Sequence, residues 1–432
     1  MPPVRIAIDG LASDPIGPEA RFYAAEELLR PLGLRAARTT PDALGAGDLY
    51  VGPSPEAVPE HVIRVRAGTP ADASREKGDL GDLFAETFRQ LAGRVEASVR
   101  QRDRLGRFLY AFHPEAPDPL ARPVDAMRAR LADALRERGV TVRDPEWDGK
   151  RWAVAVTHDL DALRTRRLAS LVGDGLRGHL RRGLRRATGP DDRMRTARAL
   201  AALSERNGIS ATFFAKAGAS GREDVPTQPE RHAGWFRQLR EAGHEIGLHP
   251  SIQAATDSAR LARERDRLAA ALGERPTLVR SHFLRWTEPL TPEAYADAGF
   301  QADSTLGWAD RSGFRRGTAH PFRLWDHRRQ APSRLWELPL AAMDTTLFVH
   351  RGLGDNEAAD RLLRVLKSAR QSGGLAVLLW HNCMDGDPAW WRRLRVLESV
   401  LTAARERGAA VLPLGRALAL AQSRATRDPL RH

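Results

Sequence analysis

The residues with the clearest capacity for chemistry lie at positions 157–161, which read Thr-His-Asp-Leu-Asp. They follow a short apolar run at 152–156, which predicts a buried β-strand that ends at this point. Because side chains alternate along a strand, Asp159 and Asp161 share one face, and His158 points the other way. Two carboxylates this close repel each other unless a cation lies between them. A divalent metal would relieve that repulsion and leave one carboxylate free to move protons, whereas the alternative is a turn in which Asp161 caps the next helix.

Other polar side chains stand at or just past the ends of later predicted strands. They are His249, Arg280 with His282, Asp303 and His381. In folds built on parallel strands, ligands gather where the carboxyl ends of the strands meet. One histidine after an apolar run is most often structural, but several carboxylates, imidazoles and a guanidinium at successive strand ends converge on one rim. The pattern therefore predicts a metal-assisted site.

The elements that must position these residues alternate between strand and helix. Strands are predicted at 152–156, 209–214, 245–248, 278–280, 335–340, 375–380 and 410–414, with helical patterns between them. About seven strands alternating with helices predict an α/β fold with a parallel sheet or barrel.

The N-terminal part has a smaller α/β pattern. Strands are predicted at 4–8, 48–52 and 62–65, and helices at 17–32, 79–107 and 124–138. A polar break at 145–150 suggests a boundary. We therefore predict an accessory α/β domain over residues 1–148, with a packing or scaffold role, and a second domain over 149–425.

A basic insertion interrupts the second domain at residues 164–198. It contains eleven arginines against three aspartates, with leucines close to helical spacing. Such a segment favours a basic amphipathic helix that lies on an anionic membrane surface or receives an anionic substrate. The glycines at positions 173, 175, 178 and 183 favour the alternative, a solvated loop.

Composition limits the remaining classes. The 432 residues carry a net charge of +13, and nearly all the basic residues are arginines spread through the chain. No nucleic-acid-reading motif is present, so a specific nucleic-acid partner is not expected. Cys383 is the single cysteine, which excludes an intrachain disulfide and a cysteine-based zinc cluster. Without a signal-peptide pattern or a long apolar run, we expect a cytoplasmic protein, peripheral to the membrane if the insertion binds lipid.

The motifs, in their order and spacing, resemble the polysaccharide deacetylases of the NodB-homology type (carbohydrate esterase family four). The resemblance spans residues 151 to about 420 and rests on Thr157 to Asp161, Ala211 to Phe214, Gly243 to His249, Arg280, and Leu378 to His381. It implies a distorted (β/α)7 barrel, here preceded by a small α/β domain. It also implies a metal-dependent hydrolase that removes N-acetyl groups from a carbohydrate.

The resemblance also implies roles for single residues. Asp159 matches the catalytic base, Arg280 the arginine that orients the base, and His381 the general acid. His249 matches the first histidine that binds the metal. We further expect Asp303 and Trp308 to contact the sugar.

Two positions depart from the family's pattern. Leu160 stands where the second aspartate of the motif is expected, so Asp161 would have to bind the metal instead. Gln253 replaces the second ligand histidine and is a poor ligand for zinc. His282 could take its place, and Asp161, His249 and His282 would then form the three-ligand set of a catalytic divalent metal, with Zn as the expected ion.

Other functions remain open at this point. Gln253 would suit a catalytically decayed barrel that binds glycan without hydrolysing it. A third alternative is another C–N hydrolase on the same fold, acting on a small cyclic amide.

Overall fold

The computed structural model describes residues 3–9, 14, 16–53, 58–59, 61–68, 80–163, 192–221, 223–382 and 388–424. Two sheets flanked by helices organise these residues, which confirms the predicted α/β class. Residues 164–191, the greater part of the predicted basic insertion, lie outside the described residues, and so does Cys383.

The first sheet is built from the N-terminal part of the chain. Its strands are β1 Val4–Ile8, β2 Ala36–Arg38, β3 Leu49–Gly52 and β4 Ile63–Arg66, and its helices are α1 Pro18–Leu29, α2 Leu83–Leu91, α3 Arg94–Ser98 and α4 Pro123–Glu137. The strands are parallel and lie in the order β2-β1-β3-β4.

The helix predicted over 79–107 was wrong, because the structure has the two shorter helices α2 and α3. The break lies at Gly93, whose φ of +66° is in the left-handed region that favours glycine. A Cβ atom at this position would lie 1.7 Å from Nη1 of the buried Arg316. Gly93 therefore provides both the turn and the space that Arg316 needs.

The second sheet contains ten strands. They are β5 Trp152–Leu160, β6 Thr212–Ala215, β7 Glu245–Leu248, β8 Leu278–Val279, β9 Ala302–Asp303, β10 Phe322–Asp326, β11 Ala331–Glu337, β12 Leu340–Met343, β13 Leu375–His381 and β14 Ala409–Val411. Their order is β10-β11-β9-β8-β7-β6-β5-β13-β12, and β14 pairs with β5. All pairs are parallel except β10 with β11, an antiparallel hairpin that was not predicted.

The central strand of this sheet is β5. All nine of its residues are buried, as expected for a parallel strand covered on both faces. It pairs with β13 along one edge and with β6 and β14 along the other. Among the described residues, the pairings do not close the sheet into a ring.

Helices cover the second sheet. They are α5 Asp192–Arg206, α6 Ala233–Glu241, α7 Ser258–Leu272, α8 Leu290–Asp297, α9 Asp355–Gln371, α10 Pro388–Glu406 and α11 Leu414–Ser423. Short helical turns lie at Arg30–Leu32, Pro41–Ala43, Tyr110–Phe112, Pro229–His232, Ile252–Thr256, His282–Leu284 and Thr345–His350. None of the described helices is long and apolar enough to cross a bilayer.

The N-terminal part packs tightly against the second sheet. One cluster of buried apolar side chains includes residues from both sheets and their helices. At its centre Trp325 of β10 packs against Tyr23 of α1 and Phe88 of α2, with ring centroids 5.2 and 5.1 Å away. A buried ion pair joins Glu96 to Arg315 nearby. The two parts share a core, and the domain boundary at residue 148 stays a prediction.

Candidate metal centre

The carboxyl ends of β5, β7, β8 and β13 bring together the residues singled out in the sequence. Asp159 on β5 lies directly opposite His381 on β13, and Asp161 follows one residue after β5 ends. His249 follows β7, and Arg280 follows β8. The neighbouring strands therefore deliver these side chains to one edge of the sheet.

Three of these side chains form a compact cluster, which we call the triad: Asp161, His249 and His282. Their ligand atoms all lie within 4.8 Å of one another. Nε2 of His249 lies 3.1 Å and Nε2 of His282 lies 3.4 Å from Oδ1 of Asp161. Both histidines are buried, and the Asp161 side chain is 17% exposed, so the triad opens to solvent on the aspartate side.

The protonation of His249 and His282 follows from what lies behind each ring. Nδ1 of His249 is 2.7 Å from the carbonyl oxygen of Arg280, and Nδ1 of His282 is 2.6 Å from Oδ1 of Asp224. The carbonyl of Arg280 and the carboxylate of Asp224 are acceptors, so each Nδ1 donates to its partner, and Nε2 then turns its lone pair toward Asp161. The ammonium of Lys216 also lies 3.0 Å from Nδ1 of His282, and it donates to the same carboxylate of Asp224. Two lone pairs and a carboxylate facing one another without a proton between them fit a bound cation.

The pKa values of Asp161 and His282 agree with a bound cation. Burial is the largest cause that lowers the pKa of His282, which keeps its ring neutral. Burial alone would raise the pKa of Asp161, but the rings of His249 and His282 beside the carboxylate hold that pKa well below its usual range. A neutral imidazole and an ionised carboxylate are the forms that bind metal.

The buried carboxylate of Asp224, behind the His282 ring, accepts several hydrogen bonds. Besides that ring it accepts hydrogen bonds from the ammonium of Lys216, from the backbone N–H and the hydroxyl of Ser220, and from the backbone N–H of Ile252. The carboxylate is fully buried, and so is the Lys216 side chain that neutralises it. These contacts fix the position of the His282 ring.

The turn that carries His282 has an uncommon backbone. Phe283 and Leu284 have φ angles of 59° and 55°, which residues other than glycine rarely adopt. The ring of Phe283 stacks on the ring of His282 with centroids 4.0 Å apart. From the N-terminal part, Arg107 donates a hydrogen bond of 3.4 Å to the carbonyl of Phe283. A strand was predicted over 278–280, but β8 ends at Val279, and the turn that follows places the His282 ring.

A buried arginine holds Asp159 beside the triad. Nη1 of Arg280 donates to Oδ1 of Asp159 at 3.1 Å and to the hydroxyl of Thr157 at 2.7 Å. Its remaining donors contact the carbonyl and the hydroxyl of Ser304 at 2.7 and 2.9 Å. Oδ2 of Asp159 lies 3.8 Å from Nε2 of His249, so this oxygen faces the cation position.

His381 completes the edge from the other side of β5. Its Nδ1 lies 2.6 Å from Oδ1 of Asp344, and its backbone N–H donates to Oδ2 of the same carboxylate. Its Nε2 lies 3.9 Å from Oδ2 of Asp159. Burial alone would lower the pKa of His381, but the carboxylate of Asp344 outweighs it and raises the pKa to about 10. The ring is therefore a charged proton donor at neutral pH.

The two residues predicted to contact sugar, Asp303 and Trp308, are both buried and are not part of the triad. Asp303 is buried at the end of β9 and accepts hydrogen bonds from the backbone and the hydroxyl of Thr305. Trp308 is buried against the rings of Phe108 and Tyr110 from the N-terminal part. Asp303 thus forms hydrogen bonds within its own turn, and Trp308 packs against a distant segment. Their predicted contact with substrate stays a prediction.

His158 and Gln253 both lie outside the triad, as the sequence predicted. His158 points away from the triad and packs on Phe213, and burial lowers its pKa to about 3. Gln253 is exposed in the helical turn after β7, and His282 stands in the cluster in its place.

Sequence reasoning missed Asp224, Lys216 and Asp344. Asp344 and Lys216 directly follow β12 and β6, so the strand-end rule could have found them. Asp224 lies in an irregular segment and reaches His282 only through the tertiary fold, so no local pattern indicates it.

Comparison with known proteins adds distant structural likenesses. No protein-family model and no curated protein matches the chain. A presumed polysaccharide deacetylase from Mycobacterium smegmatis is 22% identical, with a TM-score of 0.47 over 66% of this chain and 96% of that one. A family 4 carbohydrate esterase from Streptomyces lividans, solved with acetate, is 13% identical, with a TM-score of 0.33 over 61% and 99%.

A CE4 family pseudoenzyme from Bacillus anthracis also matches, at 10% identity and a TM-score of 0.34, over 62% of this chain and 65% of that one. The chain is thus similar in structure to polysaccharide deacetylases and family 4 carbohydrate esterases, the family whose motifs its sequence resembles.

Proposed function

We propose that this protein is a metal-dependent hydrolase that removes N-acetyl groups from a carbohydrate. The observation that carries the proposal is the triad, in which a carboxylate and two imidazole lone pairs converge on one point beside a second buried carboxylate. The motifs that resemble those of polysaccharide deacetylases support the proposed reaction type and class of substrate. A distorted (β/α)7 barrel is the fold that we propose around the site.

The residues present fit a catalytic divalent metal. Asp161, His249 and His282 supply one oxygen and two nitrogens, which is a common ligand set for catalytic zinc and leaves a position open for water or substrate. A cation bound there would polarise the acetyl carbonyl and lower the pKa of a water molecule. Zn is the ion that this donor set favours.

Asp159 is the proposed general base. Its Oδ2 faces the triad, and its Oδ1 is held by Arg280, so the carboxylate is fixed in one orientation and has one oxygen available for the proton of the attacking water. Because Arg280 is itself fixed by Ser304 and Thr157, the base does not have to reorganise during the reaction.

His381 is the proposed general acid. Its Nδ1 is held by Asp344. Arg280 contacts Oδ1 of Asp159, whereas Nε2 of the charged His381 ring lies near Oδ2 of the same carboxylate, where it can donate a proton to the departing amine nitrogen. The base and the acid lie on the neighbouring strands β5 and β13, with 3.9 Å between Oδ2 of Asp159 and Nε2 of His381, so both can reach one substrate group at this edge of the sheet. Each residue then performs one proton transfer.

A catalytically decayed glycan-binding protein is the second candidate. The exposed Gln253 at the position of the second ligand histidine favours it. The triad argues for the enzyme, because His282 provides a third ligand atom at a different place in the chain. The two proposals differ in whether the protein needs metal and releases acetate.

The test is acetate release from N-acetylated chito-oligosaccharides by the full chain, before and after treatment with a chelator and after addition of Zn²⁺. We expect activity that disappears with the chelator and returns with the metal. Activity that survives complete metal removal would exclude the metal mechanism, and sugar binding without acetate release at any metal content would support the decayed barrel. A small cyclic amide, assayed in parallel, tests the remaining C–N hydrolase alternative.

A further inference from the structure

A large cleft lies at the amino ends of the strands whose carboxyl ends carry the triad. We call it the basic cleft. It has a volume of about 1070 Å³ and lies between α4 and α9, with residues 144–152 and 407–408 along its side. Trp152, the first residue of β5, lines it, and at ~3.3 Å per residue the nine-residue strand separates the cleft from the triad by roughly 26 Å.

The cleft has far more positive than negative charge. Nine lysines and arginines line it against three aspartates, whereas the whole chain has 68 basic and 55 acidic residues. The excess is therefore a property of this surface and not only of an arginine-rich composition. Charge of one sign concentrated in a concave surface attracts a ligand of the opposite sign.

The floor of the cleft contains two arginines that share one carboxylate. Arg128 forms an ion pair of 2.7 Å with Asp125, and Arg122 lies 3.6 Å from the other oxygen of the same carboxylate. The closer partners of Arg122 are neutral, the hydroxyl of Ser368 at 2.7 Å and the amide oxygen of Gln371 at 3.2 Å. Burial lowers the pKa of the Arg122 guanidinium, so its positive charge is incompletely compensated by the protein.

Buried arginines elsewhere in the chain are matched by more carboxylate. Arg21 contacts two aspartates, and Arg315 and Arg316 together contact two glutamates. The pair at the floor of the cleft has half as many carboxylates per guanidinium as the pair Arg315 and Arg316. The cleft thus contains a pair of arginines that is less well compensated than Arg21, Arg315 and Arg316.

The wall formed by α9 adds a row of exposed cations. Arg364, Lys367 and Arg370 follow one another at three-residue intervals, so their Cα atoms span roughly 9 Å along one side of the helix. No carboxylate among the described residues forms an ion pair with any of the three. Arg407 lines the cleft from the turn before β14, and its guanidinium donates to the backbone carbonyl of Ala403 in the preceding helix turn.

We propose that the basic cleft binds a ligand through an oligophosphate group, that is, two or more linked phosphates. Arginine forks recognise phosphate oxygens in pairs, and a row of cations about 9 Å long matches a chain of linked phosphates better than one isolated anion. The ligand could be a free oligophosphate or a larger molecule that carries a diphosphate, and the probes below separate these sources. The proposal does not depend on the hydrolase activity.

The test measures binding of inorganic tripolyphosphate by calorimetry to the full chain and to a variant with Lys367→Glu and Arg370→Glu. Both positions are exposed on α9, so the fold should tolerate the change, and Lys367→Gln with Arg370→Gln is a milder second variant. The matched control is Arg237→Glu with Arg263→Glu, exposed positions on α6 and α7 that do not line the cleft and give the same change in net charge.

We expect saturable binding to the native chain, at least about tenfold weaker binding to the cleft variant, and little change in the control. Tighter binding of UDP or ADP than of inorganic pyrophosphate would identify a diphosphate-bearing molecule as the source, and equal binding a free oligophosphate. Equal losses in both charge variants would overturn the proposal, because generic attraction would explain them. So would the absence of saturable binding, or binding of generic DNA that tripolyphosphate does not displace.

Discussion

The two ends of the second sheet differ in the kind of group that lacks a counterpart. At the carboxyl ends, acceptors meet acceptors, since the lone pairs of His249 and His282 face the carboxylate of Asp161. At the amino ends positive charge is in excess, since Arg122 and Arg128 share one carboxylate and a row of exposed cations lies beside them. The first arrangement fits a cation, and the second fits an anion.

The two ends also differ in how fully their side chains are held by hydrogen bonds and ion pairs. Behind the triad, each histidine is fixed by an acceptor, and Asp224 is itself held by Lys216 and by backbone N–H groups. The cations on the α9 wall are exposed and have no ionic partner among the described residues. Ligands whose other atoms are held by hydrogen bonds suit a metal that demands fixed geometry, whereas exposed cations without ionic partners suit a charged ligand of variable shape.

The largest expected effect on this comparison comes from His282→Ala, which removes one ligand from the triad. Loss of a direct ligand should weaken Zn²⁺ binding by more than the roughly 10–100-fold that loss of a supporting residue costs, and should abolish acetate release. Competition with a chromogenic chelator measures the affinity. The control is Gln253→Ala, which should leave the affinity unchanged because that side chain is exposed. Unchanged affinity in His282→Ala would reassign the third ligand.

Asp159→Asn separates chemistry from metal binding at the same end of the sheet. If Asp159 is the general base, kcat should fall by about 10²–10⁴-fold while zinc affinity stays close to that of the native chain. Steady-state kinetics and the same chelator competition measure the two quantities. A parallel loss of metal would show that Asp159 is a ligand and not a base.

Asp224→Asn tests whether the contacts behind the triad matter. The asparagine can no longer neutralise Lys216 or accept as strongly from Nδ1 of His282, so zinc affinity should fall by roughly 10–100-fold. Asp48→Asn, at a buried aspartate beside the first sheet, is the matched control and should have no effect on the metal. Equal affinities for Asp224→Asn and the native chain would mean that the turn backbone alone positions His282.

Asp344→Asn should produce the smallest change, which is a lower pKa of His381. The pKa of His381 is raised to about 10 by Asp344, so the ring stays charged until the pH rises through that value. Removing the carboxylate should lower the pKa by about 1–3 units, and the charged form should be lost at correspondingly lower pH. NMR titration of the metal-free protein follows the ring directly. A pKa that does not move would mean that another group charges His381.

The strand-end rule found most of the candidate site because the relevant side chains directly follow apolar runs. Asp159, His249 and His381 all belong to or follow strands that are buried for most of their length. Asp344 obeys the same rule but was overlooked, because the predicted strand at 335–340 covers parts of two strands that the structure separates at Leu338 and Pro339.

Contacts between distant segments could not be predicted. Trp308 was expected at the substrate because tryptophan often stacks on sugars, but the N-terminal segment that covers it cannot be inferred from the pattern around residue 308. The same holds for Asp224, and for the antiparallel hairpin of β10 and β11, whose strands alternate weakly. Local patterns give strands and their ends, and tertiary packing decides which neighbours each end receives.

The central claim is that the triad binds one divalent cation, and zinc content tests it most directly. After the protein is dialysed against Zn²⁺ and then against metal-free buffer, elemental analysis should find about one zinc per chain, and X-ray absorption should fit nitrogen and oxygen ligands at ~2.0–2.1 Å, including two imidazoles. Zinc far below one equivalent, or zinc whose shell contains no imidazole, would contradict the account.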